Sequence, residues 1–342
     1  APALIRLIFK FSFNIIFMKA VVITKAGGPE VLEIKEFTSK ELGREQVRIA
    51  VKAAGVNRSD ILTRENPDAY GGDAEVATIP GLEVAGVITE IGSEVTAYTV
   101  GDHICALVPG GGYSTELCID ARVCLPVPKG LDFVEAASLP EVLFTVWFNI
   151  FQQAHIRKGE GLLIHGGTSG IGVMGLQVAQ ALGIHTFTTV GSQEKLDFIK
   201  ENNFGKVINY KKTDFEREFK DEKIDVILDM VGGDYTQKNL NLLAKNGRLQ
   251  YINGMKSLSP TINLWTVMSK QIKLSGSLLK PQSNEVKAKI ASELLDSVWP
   301  LIEEQRIKPI VYKTFRLQNA GEAHQLMDSS AHIGKIVLTI ED

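Results

Sequence analysis

The sequence predicts a two-domain α/β protein, with a compact, mostly antiparallel barrel-like unit joined to a doubly wound parallel sheet. Three observations carry this expectation. The chain has 342 residues, and at roughly 100 to 200 residues per domain that length accommodates two units, each burying a core of its own. From Met18 to about Pro126, β-branched runs alternate with Gly and Pro punctuation, the grammar of strands and turns. From about Ala136, strand-like runs alternate with helix-length segments, as in a parallel sheet with crossover helices.

Residues 1–17 read APALIRLIFKFSFNIIF, with Arg6 and Lys10 as the only charges. This stretch is shorter than the ~20 residues that span a bilayer. It also lacks the charged start and small-residue cleavage site of a signal peptide, so it reads as extra upstream sequence ahead of Met18. The strand runs that follow include AVVIT (20–24), QVRIAVKAAGV (46–56) and VAGVITEIG (84–92). The parallel sheet then takes GLLIHGG and a helix from Gly170 to Leu182, HTFTTV and a helix near Gln193 to Glu201, KVINY, IDVILDMV and a helix near Tyr235 to Leu243, RLQYING, and finally IKLSGS. Six strands of this kind complete a nucleotide-binding sheet. A helix over 284–302 and a last strand, KIVLTI (335–340), return to the first unit. The expected division is 18–140 with 280–342 for the barrel-containing unit and 141–279 for the parallel sheet.

Composition narrows the partners. With 37 Lys+Arg against 40 Asp+Glu and a net charge of −3, the chain carries no basic footprint for nucleic acid or anionic membrane. Beyond residue 17 no apolar run reaches the length of a membrane span. Cys105, Cys118 and Cys124 are the only cysteines. An odd, sparse set without a C-x-x-C pair is neither a disulfide framework nor a zinc ribbon. All three read as small buried hydrophobes of a protein from a reducing compartment, the cytoplasm.

The sharpest local signal is LLIHGGTSGIG (162–172), where a strand runs through a Gly-rich turn into a helix. Such a turn lets backbone N–H groups approach a pyrophosphate, with the positive end of the helix dipole behind them. Gly167, Thr168, Ser169, Gly170 and Ile171 are the expected cradle. Ser169 takes the place of the middle glycine of G-x-G-x-x-G. At the end of the next strand, where an acid would bind the ribose hydroxyls of NAD, stand Gly191, Ser192 and Lys195. A hydroxyl, open amides and an ammonium suit a 2′-phosphate, which predicts NADPH. Tyr210 closes the third strand and either completes this pocket or packs beside the sheet.

Several further segments, AGVNRSD (54–60), PGLEVAGVITEIG (80–92), VGDHI (100–104), GGYSTE (111–116), LPEVLFTVW (139–147), SGSLLK (275–280) and SSAHIGKIVL (329–338), join the Gly-rich turn. Together they make the chain resemble the medium-chain dehydrogenase/reductase superfamily, in its zinc-independent NADPH:quinone oxidoreductase branch, close to the p53-inducible quinone oxidoreductase-like subgroup. The resemblance covers nearly everything from Met18 to Ile340. It implies a GroES-like β-barrel catalytic domain and a Rossmann domain that holds NADPH.

Zinc alcohol dehydrogenases share this architecture but need a Cys in the first of these segments and a His in the second. Here the first reads Asn57-Arg58-Ser59-Asp60 and the second Gly81-Leu82-Glu83. Leu82 has no lone pair to give, and Glu83 with Asp60 makes a poor zinc site beside the usual N and S ligands. No catalytic metal is expected, and the six histidines read as structural. Without a Lewis acid, the acceptor must already be electron-poor, as quinones and α,β-unsaturated carbonyls are.

The resemblance places Asn57 beside the nicotinamide with Asp60 anchoring its loop. The structural alternative for this pair is a turn held by its own side chains. Tyr70 lies in the loop expected over the substrate, as a donor to the developing oxyanion or as an exposed aromatic. Thr145 is expected to contact the cofactor between the domains, or to be an interior helix residue. Val231 and Gly254 follow the fourth and fifth strands at the ligand-binding edge of the sheet, and Leu278 and Lys335 are placed at the cofactor by family pattern alone. The family also implies a homodimer paired through RLQYING and IKLSGS. Reduction of enones or enoyl thioesters is the competing activity. A crystallin-like or RNA-binding protein without significant turnover is the reading from another class.

Overall fold

The computed structural model describes residues 17–70 and 79–341. The expectation for the extra segment therefore lies outside the described residues, apart from Phe17, which opens the first strand. The strands, in chain order, are β1 (Phe17–Ile23), β2 (Leu32–Thr38), β3 (Gln46–Val56), β4 (Glu83–Ile91), β5 (His103–Leu107), β6 (Glu116–Asp120), β7 (Cys124–Pro126), β8 (Gly161–His165), β9 (His185–Val190), β10 (Lys206–Asn209), β11 (Ile224–Asp229), β12 (Leu243–Tyr251), β13 (Lys273–Gly276), β14 (Val311–Arg316) and β15 (Lys335–Thr339).

β1 and β2 pair as an antiparallel hairpin. The barrel sheet runs β14-β15-β3-β4-β5-β7, with β6 paired to β3 off this path. β3 is long enough to serve three neighbours. Its start pairs with β6, its end with β15, and β4 runs along its other side through two register shifts. Such irregularities bend a strand and increase its twist, which lets one strand turn a corner of the barrel. β15 comes from the far end of the sequence to close this sheet, as the KIVLTI run predicts.

The second sheet is parallel throughout, in the order β10-β9-β8-β11-β12-β13. This is the doubly wound order 3-2-1-4-5-6, which places a ligand crevice at the carboxyl ends of β8 and β11, where the order reverses. β8 (GLLIH) and β11 (IDVILD) are buried at every position, as befits central strands covered on both faces by helices. The helix Gly170–Ala181 follows β8, and Ser169 caps it by accepting from the Gly172 N–H at 3.0 Å.

Each unit buries a core of its own, around Ile49, Val84, Tyr113 and Leu338 in the barrel and around Leu163, Phe187, Phe219 and Leu249 in the parallel sheet. A further buried cluster joins them, running from Cys105 and Leu125 of the barrel through Leu139, Phe144 and Ile150 to Ile164 and Met174 of the parallel sheet unit. The reason is the helical stretch Pro140–Val146, continued in wider π-type turns over Trp147–Gln153. From Val142 to Ile150 it is apolar except for Thr145 and Asn149, and every residue of that stretch is buried, so it is covered all round. The segment Phe133–Gln153 is long and apolar enough to cross a membrane by length and composition, and 78% of its most apolar window is buried inside the protein. The helix expected over 284–302 breaks into Asn284–Ser297 and Trp299–Glu303, because Pro300 has no N–H to continue the first ladder and is tolerated in the first turn of the second. Among the cysteines, Cys105 and Cys124 are buried, but Cys118 is half-buried: β6 lies at the sheet margin and, among the described residues, pairs only with β3.

Candidate active site

The site grows from the turn between β3 and the helix Arg58–Glu65. Asn57 and Asp60 close the turn at the start of that helix, where the Asp60 N–H donates to the Asn57 backbone carbonyl at 3.0 Å. The Asn57 N–H donates to Asp60 Oδ2 at 2.8 Å, and the Gly81 N–H donates to Asp60 Oδ1 at 2.9 Å. Tyr113 adds a hydroxyl donor to Asp60 Oδ2 at 3.3 Å. Asp60 thus ties the Asn57 turn to the segment entering β4. Burial pushes its carboxyl up to about 6, against the opposing pull of the two backbone donors and the nearby Lys335 ammonium.

The anchoring leaves the Asn57 side chain free to reach outward. Its amide donates to Glu83 Oε1 at 2.9 Å, and its carbonyl accepts from Lys335 Nζ at 2.5 Å. Lys335 also donates to Glu83 Oε1 at 2.5 Å. The other oxygen of Glu83 accepts from the Glu141 N–H at 2.8 Å. Four residues far apart in sequence, Asn57, Glu83, Glu141 and Lys335, therefore share one hydrogen-bonded cluster. Its ammonium occupies the position of positive charge beside Glu83, where Leu82 and Asn57 offer no imidazole or thiolate. Among the described residues, no group of three or more His, Cys, Asp or Glu side chains is placed to hold a metal ion.

Lys335 joins this cluster to the Gly-rich turn. The preceding residue, Gly334, donates its N–H to the Thr168 carbonyl at 2.8 Å and adopts φ +79°, a left-handed conformation that glycine takes without strain. A Cβ built on Gly170 would lie 2.5 Å from Lys335 Cδ, so the lysine stem passes directly over the start of the helix.

The Gly-rich turn fits a dinucleotide. A Cβ on Gly167 would meet Thr188 Oγ1 at 2.0 Å, so the turn packs against β9 only because that atom is absent. Gly170 and Ile171 stand in the first turn of the helix, where N–H groups have no acceptor within the helix and turn to an anion. Thr168 is buried, and Ser169 donates to the Gly166 carbonyl at 2.8 Å while capping the helix. Gly191 and Ser192 follow β9. Ser192 caps the next helix through the Lys195 N–H, and Tyr210 stacks close over Gly191, where a Cβ would lie 2.7 Å from its hydroxyl. Lys195 Nζ donates to the Ser330 carbonyl at 2.6 Å, which holds the ammonium at the same rim. Val231 donates its N–H to Asp229 Oδ1 at 2.6 Å, and Gly254 lies beside Gly232 in the adjoining turn. Thr145 is buried in its helix, whereas Leu278 is exposed next to Ser277, whose hydroxyl donates to Asn149 Oδ1 at 2.7 Å. Tyr70 ends the short helix Pro67–Tyr70, but its side chain and residues 71–78 lie outside the described residues.

Some participants escaped the sequence. Glu141 follows Pro140 in an otherwise apolar segment, and a lone carboxylate there was the available signal. Tyr113 and His324 gave none, because their pairing at 3.1 Å between hydroxyl and Nε2 joins residues from opposite ends of the barrel unit. Burial and the nearby Arg64 hold His324 down to about 3, so it stays neutral. His165 is likewise buried and neutral, bonded to Thr189 and Asn239, with burial lowering its pKa.

Comparison with known proteins agrees with this geometry. Residues 43–129 match the model of the alcohol dehydrogenase GroES-like domain and residues 203–338 that of the zinc-binding dehydrogenase. A quinone oxidoreductase of Rattus norvegicus is 30% identical over 94% of this chain and 98% of its own. The crystal structure of Escherichia coli quinone oxidoreductase complexed with NADPH superimposes with a TM-score of 0.79 at 26% identity, covering 94% of this chain and 99% of that one. The apo form of the JamJ enoyl reductase reaches 0.83 at 26% identity, covering 95% and 99%. A GroES-like barrel, a parallel sheet in doubly wound order and near-full-length similarity at this level place the chain in one family: it belongs to the quinone oxidoreductase branch of the medium-chain dehydrogenases/reductases.

Proposed function

We propose that the protein transfers hydride from NADPH to quinones without a metal, using Asn57, Asp60, Glu83 and Lys335 as the polar frame of the reaction site. The observation that carries this reading is Lys335. Its stem crosses the phosphate-binding turn at Gly170 and its ammonium bonds both Asn57 and Glu83. When bound, NADPH supplies the hydride. The chain's own residues orient, exclude water and stabilise charge. Gly167, Thr168, Ser169, Gly170 and Ile171 take the pyrophosphate, while Ser192, Lys195 and Tyr210 surround the 2′-phosphate and favour NADPH over NADH. Thr145, Val231, Gly254 and Leu278 line the remaining path, and Tyr70, at the end of the helix Pro67–Tyr70, serves as an oxyanion donor. A buried ammonium next to Asn57 attracts the negative charge that develops on a reduced acceptor.

The nearest competing substrates are α,β-unsaturated carbonyls and enoyl thioesters, supported by the likeness to the JamJ enoyl reductase. Nicotinamide absorbance followed across a panel of ortho-naphthoquinone, phenanthrenequinone, enals and enoyl-CoA esters separates the two. Rapid NADPH oxidation with quinones, slower reaction with NADH and indifference to EDTA are expected. Turnover confined to enoyl thioesters, or loss of activity with EDTA, overturns the quinone reading.

The chain also fits a homodimer joined through β13, which among the described residues pairs only with β12 and carries an exposed apolar surface at its side: Leu258, Leu264, Trp265, Met268 and Leu274. An unpaired edge beside such a patch is a liability in a monomer. A second copy covers both by a two-fold contact. The free thiols and net negative charge support a cytoplasmic protein with a small-molecule substrate and no nucleic-acid partner.

A further inference from the structure

Lys195 belongs to the parallel-sheet unit, but the group that holds its ammonium belongs to the barrel unit. The Ser330 carbonyl, which accepts from Lys195 Nζ at 2.6 Å, lies in the short link between the helix Ala320–Ser329 and β15. A lysine ammonium carries three donors on a flexible four-carbon stem. With one donor fixed on a carbonyl, the other two remain for an anion at the rim where Ser192 and Tyr210 stand. The placement of that carbonyl therefore decides where the charge sits.

Ser330 ends its helix in the left-handed region, at φ 54° and ψ 22°, where glycine or asparagine is usual. A serine stays there when its surroundings hold it. Arg58, the residue after Asn57, supplies that hold. Its Nη2 donates to the Met327 carbonyl at 2.6 Å and to Ser330 Oγ at 3.1 Å, and its Nη1 donates to Asp328 Oδ1 at 3.3 Å. Arg64 Nη2 donates to the other oxygen of Asp328 at 3.3 Å, so both ends of the helix Arg58–Glu65 grip the same turn. The far end of the link is docked by the Gly334 N–H on the Thr168 carbonyl. A continuous connection thus runs from the reaction-site turn at Asn57, through Arg58 and Ser330, to Lys195.

Resting on the NADPH reading of that rim, we propose that Arg58 is a positioning residue for dinucleotide specificity: by fixing the Ser330 turn against Lys195 it aims the ammonium at the 2′-phosphate, and so sets the preference for NADPH over NADH. Arg58 itself touches neither dinucleotide. Its planar fork suits the task, since one side chain reaches a carbonyl, a hydroxyl and a carboxylate at once. The pyrophosphate, nicotinamide and adenine are common to both dinucleotides, so a general disturbance of the Asn57 turn or of the fold weakens both alike, whereas a misplaced Lys195 weakens NADPH alone.

The test measures the dissociation constants of NADPH and NADH by isothermal titration calorimetry on protein freed of dinucleotide, for the wild type, Arg58→Gln, Arg58→Lys, Ser330→Ala, Lys195→Ala and the double variant Arg58→Gln/Lys195→Ala. The ratio of the two constants on one preparation cancels any loss of folded protein. Lys195→Ala is expected to lower the NADPH preference about tenfold, and Arg58→Gln about fivefold, because loosening the lysine forfeits part of what deleting it does. The double variant should lose no more than Lys195→Ala alone, since the arginine acts through the lysine. Arg58→Lys, which keeps the charge without the fork, should restore part of the preference. Ser330→Ala, which keeps the carbonyl and loses the hydroxyl, should fall between the wild type and Arg58→Gln, and it carries the test if Arg58→Gln does not fold. A wild-type ratio in both Arg58→Gln and Ser330→Ala, or a double variant that loses the product of the single effects, about fiftyfold, overturns the role given to Arg58 while leaving the NADPH reading in place. A wild type that binds NADPH no more tightly than NADH, with Lys195→Ala unchanged from it, removes the NADPH reading and the proposal together.

Discussion

Lys335 and Glu83 form an ion pair at 2.5 Å with their side chains 6% and 0% exposed. The pair joins the last strand of the barrel to β4 and closes over the nucleotide turn. Taking one partner away leaves the other charge buried and unpaired, which costs about 3 to 5 kcal/mol. Lys335→Met is therefore expected to lower stability by that amount in urea unfolding. The double variant Lys335→Met/Glu83→Gln should recover a large part of the loss while remaining inactive. Equal stabilities for Lys335→Met and the wild type would show that the pair adds nothing net.

Asp60 accepts three hydrogen bonds inside the protein, two from backbone N–H groups and one from Tyr113. An amide has one accepting oxygen and two donors of its own, so Asp60→Asn sets an NH2 against an N–H. A buried donor left without an acceptor costs about 1 to 3 kcal/mol. The expected result is a loss of that order by thermal unfolding, with the Asn57 turn displaced and kcat reduced more than the KM for NADPH.

The Glu141 carboxyl also makes a prediction about stability. Its folded value of about 8 lies above the ordinary 4.5. Below the ordinary value both states hold the proton and the difference vanishes. Between the two values the unfolded chain releases a proton that the folded chain retains, so this contribution to stability falls as pH rises. Glu141→Gln removes the effect. The variant should match the wild type near pH 5 and exceed it near pH 8, by on the order of 1 to 3 kcal/mol. Chemical denaturation at the two pH values reads the difference directly, and a gap that does not widen with pH would show that the carboxyl ionises normally.

Lys195 presents its ammonium at the rim of the parallel sheet, held by the Ser330 carbonyl. Lys195→Ala is expected to raise the KM for NADPH about tenfold, the loss of one charge-assisted contact, and to leave the KM for NADH within about twofold. A matched loss for both dinucleotides would mean that the side chain acts through the fold of its helix.

Trp265, 71% exposed on the patch beside β13, tests the assembly. Sedimentation of the wild type should report twice the chain mass, and Trp265→Glu should shift the population toward single chains. A wild type that sediments as one chain at micromolar concentration would remove the dimer.

Much of this architecture was legible in the sequence because its signals are local. The LLIHGGTSGIG turn states a strand, a tight bend and a helix start within 11 residues, and IDVILD is apolar enough to demand burial on both faces. The reaction site was legible only in part. Asn57 and Asp60 share one turn and could be seen together. Lys335 stood out only by resemblance, since nothing in GKIVLT tells that its ammonium reaches Glu83. Glu141 was missed because its significance comes from the charges around it, which belong to strands and helices distant in the chain. The cluster that joins the two units was missed for the same reason: the composition of LPEVLFTVWFNI says that the helix is covered, and only the fold says by what.

The pairing of Ile336 and Val337 with Val56 and Gly55 also sets an order on biosynthesis. The strand that completes the barrel leaves the ribosome after the whole nucleotide-binding sheet has been made. That sheet is contiguous in sequence and can assemble on its own schedule, whereas β3 must wait with one flank open. Non-local pairing of this kind is slow to form, and its exposed edge invites association with other nascent chains. Loss of β15 is therefore expected to lower the yield of folded protein in a cell out of proportion to the few contacts it deletes.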